Sequence, residues 1–167
     1  TQLSSFLRRI WMADFSLSSR SKKNLEGVNP DLAAVVKGAI LLTKVDFGVI
    51  EGVRTLSRQK ELVASGASQT MKSRHLIQGD GTSHAVDLMA YDGSNPSWEI
   101  VMYDDIADAM KAAALETGTK ICWGASWHID DITKWDGTMQ EAMNAYIDLR
   151  RSQSRRPFID GPHFEKR

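Results

Sequence analysis

The chain has one cysteine, Cys122, and four histidines in 167 residues. A lone thiol excludes an intramolecular disulfide and any cysteine-rich metal cluster. Within the apolar run Lys120-Ile121-Cys122-Trp123 it reads as a small buried hydrophobe. An excess of either charge is also missing, since 21 Lys+Arg balance 21 Asp+Glu. Nothing global therefore points to nucleic acid or to an anionic surface. No run approaches the ~18 apolar residues of a membrane span, so stable membrane insertion is not expected. No repeat or linker divides the chain, whose length suits one domain with a real core, expected to act as a monomer.

The N-terminus carries Leu3, Phe6, Leu7, Ile10 and Trp11 at helical spacing, with Arg8 and Arg9 between them. It lacks the uninterrupted apolar core and small-residue cleavage site of a signal peptide. Met12-Ala13-Asp14 has the look of a natural start. Residues 1–13 are therefore read as a leader or upstream segment, and 14–167 as the folded domain.

Asn29-Pro30 pairs an N-cap with proline at the first helical position, and Leu32, Val35, Val36, Ala39 and Ile40 continue an apolar helical face. Val45 to Ile50 reads as a strand, and Ser57 begins a short helix that stops at Gly66. Gln78 to Ser83 is loop chemistry, and His84 to Met89 a strand. Asn95-Pro96 is expected to open a helix ending at Gly118, followed by a strand at Lys120–Trp123. Thr138-Met139-Gln140-Glu141 is a capping box ahead of Ala142, Met143, Tyr146 and Ile147. Gly161 to Glu165 is a terminal strand. This order predicts an α+β fold: a single domain with a small, mainly antiparallel sheet flanked by helices.

Chemistry concentrates in Ser73-Arg74-His75, His84-Ala85-Val86-Asp87 and Asp160-Gly161-Pro162-His163. They supply imidazoles and a carboxylate of the kind that hold catalytic zinc, which commonly takes three protein ligands and leaves a fourth position open. A further acid, Asp160, stands three residues before the last histidine. Side chains alternate along a strand, so His84 and Asp87 face opposite ways, while His163 and Glu165 share one side. One of the pair can join His75 and His163. The pattern alone leaves both His75–Asp87–His163 and His75–His84–His163 open.

The run Val49-Ile50-Glu51-Gly52-Val53-Arg54-Thr55-Leu56-Ser57-Arg58-Gln59, then Ser73-Arg74-His75, His84-Ala85-Val86-Asp87, Trp123-Gly124 and Asp160-Gly161-Pro162-His163-Phe164-Glu165, resembles phage L-alanyl-D-glutamate endopeptidases. These are endolysins of the zinc D-alanyl-D-alanine carboxypeptidase superfamily, and the likeness runs from about Asp14 to the C-terminus. It implies one zinc ion on His75, Asp87 and His163 at the sheet, Asp160 as the catalytic acid, and Arg54 beside the active site holding substrate or the developing oxyanion. Ser73, His84, Trp123, Trp127 and His128 are the accompanying candidates for supporting a ligand or lining the substrate cleft. Two segments, Ile77–Ser83 and His128–Phe158, are longer than the family pattern and are expected near the cleft.

The resemblance further implies a zinc endopeptidase acting on peptidoglycan peptide stems between L-Ala and D-Glu. It would be made in the host cytoplasm, reach the wall with the help of a holin, and lyse the host. A D-alanyl-D-alanine carboxypeptidase on the same scaffold is the near alternative. A non-catalytic wall-binding domain with a structural zinc is the distant one.

Overall fold

Five strands form one antiparallel sheet in the computed structural model, which describes residues 15–167. The strands are β1 (Asp46–Glu51), β2 (Ala85–Asp92), β3 (Asn95–Ser97), β4 (Ile121–Trp123) and β5 (His163–Lys166). Their order is β1-β2-β5-β4, with β3 paired to the far end of β2. Among the described residues the α-helices are α1 (Ser19–Asn24), α2 (Pro30–Ala39), α3 (Leu56–Ala64), α4 (Ile100–Thr117) and α5 (Met139–Ser152). The α+β expectation thus holds. The amphipathic reading of residues 1–11 and the start at Met12 lie outside the described residues.

Local chemistry accounts for the helix ends. Asn29 accepts from the Asp31 N–H ahead of Pro30, Thr55 accepts from Arg58, and Thr138 and Glu141 close the capping box of α5. Leu32, Val35 and Val36 of α2 and Ile106, Met110 and Ala114 of α4 are fully buried with Val86, Leu88 and Phe164 of the sheet. Period-2 alternation therefore sends Val86 and Phe164 into the core, and their strand neighbours Asp87 and His163 to the other face. Among the described residues, no helix is long and apolar enough to cross a membrane.

One expected element differs. Asn95-Pro96 does not open a helix: Asn95 pairs with Asp92 and Pro96 with Tyr91, across a turn at Gly93 whose φ is 61°. The helix begins at Ile100 instead, after Glu99. Proline is compatible with this short strand as it is with a helix's first turn, so the local sequence serves either.

Gly124 ties the C-terminal turn to the sheet. Its N–H donates to the His163 carbonyl and its carbonyl accepts from the Asp160 N–H, each at 2.8 Å. A Cβ there would lie 2.2 Å from the Asp160 carbonyl oxygen. Gly124→Ala must push the Asp160–His163 turn outward. The expected cost is about 1–3 kcal/mol, read as a fall of roughly 3–10 °C in Tm, together with reduced turnover.

Candidate active site

The site grows from a single row across the sheet. Glu51 of β1 faces Asp87 of β2, and Asp87 faces His163 of β5. A register shift between Val49 and Glu51 leaves Ile50 as the extra residue; such a bulge re-aims the side chain that follows it. Glu51, Asp87 and His163 all line one cleft of about 720 Å³.

His75 reaches the row from a loop fastened at several points. Its N–H donates to Ser73 Oγ at 3.2 Å, and its carbonyl accepts from the Arg54 N–H at 2.9 Å. Its Nδ1 donates to the Gly52 carbonyl at 2.8 Å, which leaves the Nε2 lone pair turned inward. Gly52 is required for this approach, since a Cβ there would lie 2.2 Å from the Asn24 carbonyl oxygen.

His75 Nε2 and His163 Nδ1 each lie 3.2 Å from Asp87 Oδ1. Ligand atoms of the three residues fall within 4.8 Å of one another. His75 Nε2 is buried without a directed hydrogen-bond partner. A buried acceptor left unpaired is costly unless something fills the place, and a divalent ion is one group that would. His163 is oriented from behind, its Nε2 donating to Glu165 Oε2 at 2.9 Å, while Arg167 holds Glu165 at 2.8 Å. Such outer partners fix tautomer and ring angle in metal sites. The group His75, Asp87, His163 can therefore hold a metal ion.

Electrostatics suit that purpose. Burial works to raise Asp87, but the hydrogen bond to His163 and the adjacent His75 win, keeping its carboxylate well below the usual range. Burial and the neighbouring Asp87 charge push Asp160 upward, the direction in which a carboxyl becomes a better proton acceptor. Opposed shifts on two carboxylates in one cleft mark distinct roles.

Arg54 is held as a fork. Its Nε and one terminal nitrogen donate to the two Glu51 oxygens at 2.5 and 2.7 Å, and the other terminal nitrogen donates to Gln59 Oε1 at 2.8 Å. Two of its five N–H groups remain, one on each terminal nitrogen, and the terminal nitrogen that bonds Glu51 lies 3.8 Å from Asp87 Oδ2. Gln59 is itself fully buried, donating to Ser68 Oγ at 2.9 Å and to the Thr70 carbonyl at 2.6 Å. This joins α3 to the cleft rim.

His75, Asp87, His163, Asp160, Arg54, Ser73 and Trp127 all line the cleft. Trp127 packs against His163 with ring centroids 5.4 Å apart, and stacks on Phe158 at 6.2 Å. Three other candidates lie elsewhere. His84 turns away to bond Asp80 at 2.7 Å, as strand alternation requires. Trp123 is fully buried, stacked on Phe164 and donating to the Gly161 carbonyl, so it supports the turn from the core. His128 is exposed and packs on Tyr146 and Trp135. Neither long segment forms the cleft: residues 77–83 stay out of it, and of 128–158 only Phe158 lines it. The bulk of the latter is α5, which packs on α4.

Glu51, Gln59, Glu165 and Phe158 escaped selection in the sequence. Glu51 and Gln59 sit within five residues of Arg54 and carried a local signal. Phe158 carried none beyond being an aromatic two residues before Asp160.

Comparison with known proteins points to a peptidase family. The model of a family described as phage L-alanyl-D-glutamate peptidase matches residues 12–166. The L-alanyl-D-glutamate peptidase of Escherichia phage T5 is 29% identical over 118 residues, 68% of this chain and 82% of that protein. Among solved structures, the Serratia marcescens L-Ala D-Glu endopeptidase ChiX is 34% identical, with a TM-score of 0.66 and 92% of each chain covered.

Proposed function

The chain belongs to the phage L-alanyl-D-glutamate peptidase family, the peptidoglycan endopeptidases of phage endolysins, and from that premise we propose that it is a zinc-dependent enzyme cutting the L-Ala–D-Glu bond of the stem during host lysis. The observation that carries the reading is the convergence of three candidate ligands with a raised carboxyl in one cleft. Structural zinc sites are usually closed by four protein ligands. Three ligands beside an uncommitted acid favour catalysis. In this reading the enzyme is made in the host cytoplasm and reaches the wall with a holin's help.

His75 Nε2, Asp87 and His163 Nδ1 would hold the zinc, which when bound supplies Lewis acidity toward the carbonyl and the water nucleophile. Asp160 takes the proton of the attacking water and delivers it to the departing amine of D-Glu. Arg54, preset by Glu51 and Gln59, offers its two remaining N–H groups to the oxyanion as charge develops. Arg58, Lys72 and Arg74 along the same cleft suit the carboxylates of the stem beyond the cut.

Arg54→Ala is expected to lower kcat by about 10²–10³-fold, the usual loss of an oxyanion donor, with little loss of zinc. Arg54→Lys recovers only part of the rate, because an ammonium cannot reproduce the fork. Kinetics on purified stem peptides with parallel metal analysis check this, and an unchanged rate removes Arg54 from the chemistry. The reaction itself is tested by mass spectrometry of digested muropeptides. Stem fragments beginning at D-Glu, lost with chelator and restored by zinc, are expected. Release of terminal D-Ala instead shows a carboxypeptidase, and intact muropeptides show no enzyme of this class.

A further inference from the structure

Asp160 borders a second hollow, of about 280 Å³, which the chemistry above leaves unused. Apolar side chains, Trp98, Ile100, Ile159 and Pro162, stand around it with Tyr103 and Asp160, and polar atoms are interspersed among them. Trp98 is 66% exposed, and Ile100 and Ile159 are also exposed. Large apolar side chains grouped in this way around a concavity mark a binding surface.

This wall is rigidly joined to the catalytic turn. Trp98 occupies the corner between β3 and α4, where Tyr103 Oη donates to the Ser97 carbonyl at 2.7 Å and accepts from the Ala90 N–H at 3.2 Å. The first turn of α4 packs so closely on the turn after Asp160 that a Cβ on Gly161 would lie 2.9 Å from Ile100 Cδ1. Ile159 precedes Asp160, and Phe158 before it belongs to the main cleft. One three-residue run thus borders both hollows.

Substrate chemistry says what should lie here, if the peptidase reading on which this inference rests is correct. The bond cut follows L-Ala, whose nitrogen is acylated by the lactyl group of the muramyl sugar. A residue spans only about 3.3–3.6 Å, so a pyranose must come to rest close to the attacked carbonyl. Besides its carboxylates, the main cleft carries Arg58, Lys72 and Arg74, matched to the acidic half of the stem. The Trp98 hollow carries no charge other than Asp160. It presents an indole face, an amphipathic platform on which the C–H face of a sugar can stack. We infer that this hollow is the subsite for the muramyl sugar ring, with Trp98 as a specificity-determining residue.

The test compares kcat/KM of the zinc-loaded protein for a muramyl-tetrapeptide and for the same peptide with an N-acetyl group in place of the sugar. Wild type should prefer the sugar-bearing substrate. Trp98→Ala should lower that preference about tenfold, the scale of one lost aromatic stacking contact, mainly through KM, and Trp98→Phe should restore much of it. Ile159→Ser, from the opposite side of the hollow, should lower it too. Equal rates on both substrates in wild type, or a preference unmoved by Trp98→Ala and Ile159→Ser, overturn the subsite and leave the peptidase reading standing. Failure of wild type to cut either substrate removes both.

Discussion

Asp160→Asn should fold, keep its zinc, and lose turnover by about 10²–10⁴-fold, the range removed with a general acid–base group. The substitution preserves shape and leaves the backbone bonds of the turn intact, since Asp160 N–H and carbonyl engage Gly124 and His163 without the side chain. What disappears is a carboxyl that burial and Asp87 have raised and that an amide cannot replace as proton acceptor. Wild-type rates in the amide variant, with zinc at one equivalent, would show that another group moves the proton.

His163→Ala should lose metal and activity together. A bound ion's charge stabilisation is worth several kcal/mol, so the rate falls by about 10³-fold or more. The variant also frees Glu165, now held between His163 and Arg167, and removes one of the two imidazoles 3.2 Å from Asp87 Oδ1. Circular dichroism and Tm must therefore accompany elemental analysis. A folded His163→Ala retaining one zinc per chain would exclude His163 as a ligand. His75→Ala provides a second route to the same result through the orphaned Nε2.

Much of this arrangement was legible in the sequence where chemistry and local pattern coincide. The strand period separated His84 from Asp87 but could not say which one met the partners. That choice depends on register, and the pairing of Asp87 with His163 together with the His84–Asp80 contact supplies it. The terminal strand was visible because His163 and Glu165 alternate with the apolar Phe164. Asn95-Pro96 misled because a hairpin strand and a helix start use the same residues.

Tertiary contacts hid the rest. Gln59 lies on a short helix whose pattern marks it as polar surface, yet it is fully buried because Thr70 and Ser68 fold over it. Trp123 and Trp127 belong to one short run, and only the close passage of Gly124 under the Asp160 turn places the first in the core and the second on the cleft wall. The expanded segments were expected at the cleft from their position in the motif order. Sequence order carries no information on which side of the sheet an added helix will pack.

The central claim, that His75, Asp87 and His163 share one divalent ion with room left for reaction, is tested most directly by anomalous diffraction at the zinc edge from crystals of the protein. The account predicts a single peak bounded by His75 Nε2, Asp87 and His163 Nδ1 at the ordinary distances of about 2.0–2.2 Å, with a coordination position open toward the cleft. A peak elsewhere, or one closed by a fourth protein ligand, would contradict it.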